Sequence, residues 1–136
     1  MAFVPVQGDA GKLQYVQAAT TQTIVKGDTL VDNGSGYLAV GASSTAAPVE
    51  YVAMQTVTTT ANGEQVLAIR TKGVIFEADT DAAPAQTDIG TFADLASKST
   101  VNPDASTNDL FYIEAIVGAT TDKKVRGWFQ AGVPNS

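Results

Sequence analysis

The sequence predicts an all-β domain, mainly antiparallel, with an extended N-terminal arm and at most one short helix. Three observations carry this. Val49, Tyr51, Ala53 and Val57, then Leu67 and Ile69, then Val74, Phe76 and Ala78 recur with the period of two that places side chains on one face of a strand. Asn62-Gly63 and Lys72-Gly73 supply reversal residues between these runs, which predicts three consecutive antiparallel strands over 50–79. Helical 3,4 spacing occurs once, at Ile89, Phe92, Leu95 and Ala96, behind a capping Thr87-Asp88, and predicts a helix over 89–97.

Taken in order, Phe3-Val4-Pro5-Val6 is an apolar patch followed by Gly8 and Gly11, after which Leu13-Gln14-Tyr15-Val16 alternates as a short strand. Proline withholds a backbone donor, which suits an edge strand or a free arm. The chain is therefore divided into an arm, 1–20, and a single β domain, 21–136. Two fates are open to such an arm: folding back over its own domain, or adding to a neighbour's sheet. Next, β-branched residues flank Gly27-Asp28, and Asn33-Gly34-Ser35-Gly36 turns the chain into Tyr37-Leu38-Ala39-Val40, two hairpin steps. Segment 41–48 is small and polar, a loop. Val52, Met54, Val66 and Ile75 lie on the faces opposite the first apolar set, so the central sheet is expected to be covered twice, by a second sheet or by partner subunits. Segments 79–86 and 97–109 read as loops. The end is a hairpin of 110–117 and 123–130 around a turn at 118–122, with Pro134-Asn135-Ser136 as a frayed tail.

Length and composition narrow the function. At 136 residues the chain is one ordinary domain, and 44% apolar with 16% charged residues describes a globular protein. A net charge of -6 opposes phosphate backbones, and the basic residues are scattered apart from Lys123, Lys124 and Arg126, so no nucleic-acid partner is expected. The chain has no cysteine and no histidine, which removes thiolate nucleophiles, imidazole bases and the metal sites built from them. No stretch approaches the roughly 18 apolar residues of a membrane span, and the first residues lack the charged and apolar regions of a secretory signal. The expectation is a protein of a soluble compartment, with no membrane partner.

Little in the chain looks like a reaction centre. Ser97-Lys98-Ser99 is the one adjacent Ser and Lys, set in polar sequence. Glu77, Asp79 and Asp81 would share one side of a continuing strand, where they could be solvated strand-end charge, a divalent-cation site or an acid-base pair; the EF-hand pattern is absent. Not an enzyme, and no cofactor, is the expectation. Trp128 and Phe129, opposite Phe111 and Tyr112, form the densest aromatic group. Consecutive strand residues face opposite ways, so one of Trp128 and Phe129 faces outward or into a partner.

The runs Ile24-Val25-Lys26-Gly27-Asp28-Thr29-Leu30-Val31, Val66 through Lys72-Gly73-Val74-Ile75-Phe76-Glu77-Ala78, and Asp109-Leu110-Phe111-Tyr112-Ile113 to Lys124-Val125-Arg126-Gly127-Trp128-Phe129 resemble the head decoration proteins of tailed bacteriophages. The resemblance implies a small β-barrel or β-tulip-like fold and a homotrimer at threefold or quasi-threefold sites on the outer capsid surface of the virion. It implies stabilisation of the head against genome pressure, by bridging neighbouring major capsid protein subunits. Phe3, Val4, Pro5 and Val6, with Tyr15 and Val16, are then the expected capsid contacts, and Trp128 the expected subunit interface. A virion fibre or tail β-module that binds host-surface glycan is the alternative from the same small fold.

Overall fold

Residues 3–130 are described by the structure, a computed structural model. Along the chain the strands are β1 (Val4–Gln7), β2 (Leu13–Ala18), β3 (Thr23–Ile24), β4 (Thr29–Asp32), β5 (Leu38–Val40), β6 (Tyr51–Ala53), β7 (Val57–Thr58), β8 (Glu64–Arg70), β9 (Ile75–Thr80), β10 (Phe92–Ser97), β11 (Thr100–Asn102), β12 (Phe111–Ile116) and β13 (Lys124–Phe129). Helical content among the described residues is two 3-10 turns, η1 (Gln86–Asp88) and η2 (Thr120–Asp122). The class is all-β, as the alternation predicts.

Two small barrels make up the fold. The first closes in the order β2-β5-β4-β6-β8. The second sheet runs β1-β9-β11-β10-β12-β13, and β13 pairs again with β9, so five of its strands return on themselves. Phe76 and Glu77 pair with both β1 and β13, which puts those two strands on opposite edges of β9; β1 therefore shares an edge with β11. A two-stranded sheet, β3-β7, flanks the first barrel. Pairing is antiparallel except at β2–β5 and β9–β11.

The core follows from the alternation. Val52 and Ala53 are adjacent in β6 and face opposite ways. Val52 joins a large cluster with Phe3, Phe76, Phe111, Phe129 and Ile69, and Ala53 joins a smaller one with Ile24, Leu30, Val66 and Ala68. The smaller cluster fills the first barrel. The larger fills the second and draws in Val31, Val49 and Ile69 from the first. The central strands are thus covered on both faces within one chain, by a second sheet rather than by partner subunits.

Five expectations are corrected. The helix over 89–97 is instead a 3-10 turn followed by β10: Gly90 sits at φ +88°, and Ala93 and Leu95 are buried with a period of two. The apparent 3,4 spacing came from residues on both faces of a strand. Segment 97–109 contains β11, whose Val101 is fully buried. Gly27-Asp28 does not close a hairpin, because β3 pairs with β7 rather than β4, and neither does Lys72-Gly73, because β8 and β9 belong to different sheets. A tight turn there, with the Val74 N–H donating to the Thr71 carbonyl (3.1 Å), drops Val74 into the core and carries the chain across. Lastly, the segment set apart as an arm, 1–20, is built into both sheets over its described part. β1 lies on β9, β2 is a barrel strand, and Phe3 is fully buried, with its N–H donating to the Gly27 carbonyl (3.1 Å). Of the two fates, folding back is the one observed. The expected tail at 134–136 lies outside the described residues.

Close packing of β12 on β13 requires Gly127. A Cβ there would collide with the Tyr112 carbonyl oxygen and come within 3.1 Å of the Phe111 ring, beside a bulge between Ile113 and Ala115. Gly127→Ala is expected to cost about 3 kcal/mol in urea unfolding by overpacking. Phe3→Ala is expected to cost about 3 to 5 kcal/mol through the cavity it leaves. A Phe3→Ala loss under about 1 kcal/mol would show that the ring is not seated in this core in solution.

Candidate functional site

Burial of Phe3 decides what the N-terminal segment presents. With Phe3 inward, Val4 and Val6 face out and are 36% and 44% exposed, while Pro5 is half-buried. On β2 the odd positions face out: Leu13 and Tyr15 are 59% and 62% exposed, and Val16 turns toward the barrel interior. The exposed large apolar residues among those described are Val4, Val6, Leu13, Tyr15 and Val25, all within the first 25 positions. Of the expected contact residues, Val4, Val6 and Tyr15 are available at the surface. Pro5 and Val16 are partly so, and Phe3 is withdrawn, because its ring lies 4.8 Å from Phe129 and 5.7 Å from Phe111. Between β1 and β2, Gly8 at φ +82° packs on the Gly73 carbonyl, and Lys12 Nζ donates to the Lys72 carbonyl (2.7 Å). These contacts hold both strands in place through the 70–73 crossover.

β2 has one satisfied edge and one largely open. Its pairing with β8 runs from Leu13↔Ile69 to Ala18↔Glu64, whereas β5 meets it at Ala18↔Leu38 alone among the described pairs. Leu67 donates its N–H to Gln55 Oε1 (3.0 Å) and accepts at its carbonyl from the Met54 N–H (2.8 Å), so neither group points at Tyr15 opposite. Tyr15↔Leu67 is therefore a non-hydrogen-bonded pair, and Tyr15, like Leu13, aims its backbone N–H and C=O away from β8. On that open side Tyr15 borders a groove of about 380 Å³, whose walls also include Gln17, Asp32, Leu38, Glu50 and Tyr51.

Trp128 lies on the outer face of the second barrel while Phe129 is fully buried, which resolves the outward-facing partner of that pair. Its indole stacks on Tyr112 at 4.6 Å, and Tyr112 meets Phe92 edge-on at 5.2 Å, along a cross-strand row set by Phe92↔Tyr112↔Trp128. Beyond the row the same face is charged, with Arg126 Nε 3.1 Å from Glu114 Oε1 and Lys124 Nζ 2.7 Å from Asp79 Oδ1.

The sequence-level candidates for chemistry are not gathered. Glu77 and Asp79 are half-buried on β9 and Asp81 is exposed past its end; no cluster of metal-ligating side chains forms among the described residues. Lys98 is directed at the buried Asp28 carboxylate (3.1 Å) and the Thr23 carbonyl (3.0 Å), and Ser97 Oγ at Thr100 Oγ1 (2.8 Å). The Asp28–Lys98 pair, which ties the β10–β11 turn to the first barrel, had no signal in the sequence beyond an Asp in a turn. No helix among the described residues is long and apolar enough to cross a membrane. Comparison with protein-family models, with curated proteins and with solved structures finds no match for this chain.

Partial burial pushes the Asp79 carboxyl up, but the hydrogen bonding and positive charge around it, Lys124 foremost, outweigh this and hold it below its ordinary value; Lys124 is raised in turn by Asp79. A carboxyl lowered in the folded state stabilises above its unfolded value, and that contribution is lost as pH falls through the folded one. Lys124→Met is therefore expected to cost at most about 1 kcal/mol at neutral pH, given the exposure of the pair. The difference should narrow in urea unfolding as pH falls below about 4 toward about 2.5. A cost unchanged at that pH would place the effect in packing instead.

Proposed function

We propose that this protein is a head decoration protein of a tailed bacteriophage, bound to the outer capsid surface and bridging neighbouring major capsid subunits. The observation that supports this is the concentration of exposed large apolar side chains in the first 25 residues, on a scaffold whose core is otherwise closed. Val4 and Val6 sit on an edge strand carrying a proline and offer an apolar edge to another protein. Covering each of these side chains contributes about 1 to 2 kcal/mol. One copy would thus bind weakly. Three copies acting together gain an avidity of about 10²- to 10⁴-fold, which makes modest contacts sufficient for a mechanical role.

The Phe92-Tyr112-Trp128 row, on the outer face of the second barrel, is the surface by which copies would gather into the trimer. Aromatic residues concentrate where interfaces are buried, and the polar rim here is supplied by Glu114 and Arg126. The acidic surface that remains would face solvent.

Incubation with expanded heads that lack decoration tests this reading. Full-length chain is expected to co-sediment with the heads, and the double variant Val4→Ser, Val6→Ser to lose at least about tenfold in affinity while keeping its unfolding midpoint. Equal binding by both chains would remove the N-terminal edge from the contact. Absence of head binding by either, with retention on host-surface glycan, would replace the proposal with the fibre-module reading. Trp128→Ser is expected to weaken copy-to-copy association on the head without abolishing folding, read by crosslinking yield of trimers.

A further inference from the structure

We propose that the groove between β2 and the β4–β6 wall is a binding site for a neutral saccharide of one or two rings. Its volume, about 380 Å³, falls within the range of small-molecule sites. What it displays fits sugar chemistry in three respects.

First, two aromatic rings border it. Tyr15 is 62% exposed, and Tyr51 is held by Arg70, whose guanidinium lies 5.8 Å from the ring centroid and whose Nη1 donates to the Tyr51 hydroxyl (3.4 Å). The electron-rich face of such a ring attracts the C–H edges of a pyranose. Second, the polar groups match hydroxyls, which donate and accept at once. Gln14 and Gln17 bring amides that do both, and Glu50 and Asp32 bring carboxylates that accept. The side chains of Gln14, Tyr15, Gln17 and Glu50 have no hydrogen-bond partner among the described residues, so binding need not break an internal bond. Asp32 is already oriented, because its Oδ1 accepts from the Gly34 and Gly36 N–H groups (2.8 and 3.3 Å), which leaves Oδ2 for a ligand. Third, the open edge of β2 adds the backbone N–H and C=O of Tyr15, polar groups fixed in direction by the ladder with β8.

Charge selects within this class. The walls carry two carboxylates, Asp32 and Glu50, against one cation, Arg70, set behind Tyr51, so phosphorylated and sialylated ligands are disfavoured. The apolar part, Val16 and Leu38, is too small a share for an acyl chain. The inference does not rest on the capsid reading: Tyr15 borders both surfaces, but Val4 and Val6, which carry the capsid test, take no part in the groove.

The test is an amide NMR titration of the full chain with maltose, lactose, cellobiose and di-N-acetylchitobiose. Sialyllactose serves as the anionic comparator, and a lysine-containing extended hexapeptide as the comparator for strand addition to β2. At least one neutral disaccharide is expected to shift amides of β2, β5 and β6 with a Kd of about 0.1 to 5 mM. Glu50→Gln and Tyr15→Ala, both at exposed positions, should each weaken this at least about tenfold with an unchanged unfolding midpoint, and sialyllactose should bind more weakly. The proposal is overturned if no neutral disaccharide moves groove amides at about 20 mM, if both variants bind as the parent does, or if the peptide binds the groove more tightly than every sugar.

Discussion

Four phenylalanine rings, Phe3, Phe76, Phe111 and Phe129, meet with centroid separations between 4.8 and 6.5 Å, and the arrangement of the whole chain depends on their contact. Three come from the second barrel. The fourth comes from the first described residue, so the cluster fastens the start of the chain to strands contributed by its middle and its end. Edge-to-face aromatic packing adds to area burial here, and no ring is exposed. Once Phe3 is inside, the pleat of β1 leaves no choice about Val4 and Val6: Val4 is turned out, and so is Val6 beyond the bulge. A surface feature is thereby fixed by a core contact.

Much of the acidic composition has a structural use. Asp28 accepts from the Val25 N–H, Asp32 from Gly34 and Gly36, Asp88 from Ala85 and Asp122 from Ala119. Glu64 takes the Thr60 and Ala61 N–H groups, and these bonds, Thr60 first, hold its carboxyl below the ordinary value. Asp94, buried in β10, collects Thr107, Asn108 and Asp109 and so closes the loop that precedes β12. Turns between short strands leave backbone donors without ladder partners, and a side-chain carboxylate two to four residues away, or across a loop, satisfies them. Charge that looks available for chemistry is in large part engaged with the backbone.

The surfaces divide accordingly. Apolar groups on β1 and β2 lie along the N-terminal strands, the aromatic row lies on the outside of the second barrel, and the groove lies where β2 and β5 diverge. Each arises from a strand whose partner is short or missing on one side, or from the outward half of an alternating strand. A small fold built from strands of two to seven residues has many such places, and glycine makes several of them possible. Gly127 lets β12 and β13 close, and Gly8 lets the chain turn beneath the crossover.

The residues alone determined that this chain is all-β, where most strands lie, that the last two pair as a hairpin, and that Trp128 and Phe129 face opposite ways. These follow from a period of two and from turn chemistry, both local properties. Tertiary structure decided which strands share a sheet. Local pattern cannot tell a hairpin at Lys72-Gly73 from a crossover, because both need a reversal there, and cannot tell a helix at 89–97 from a strand buried on both faces. It also decided the fate of the first residues: whether Phe3 is a contact for another protein or part of this core depends on three rings distant in sequence. The groove was invisible for the same reason, since it exists only where non-adjacent strands fail to meet, and an edge left open is a relation between strands rather than a property of either.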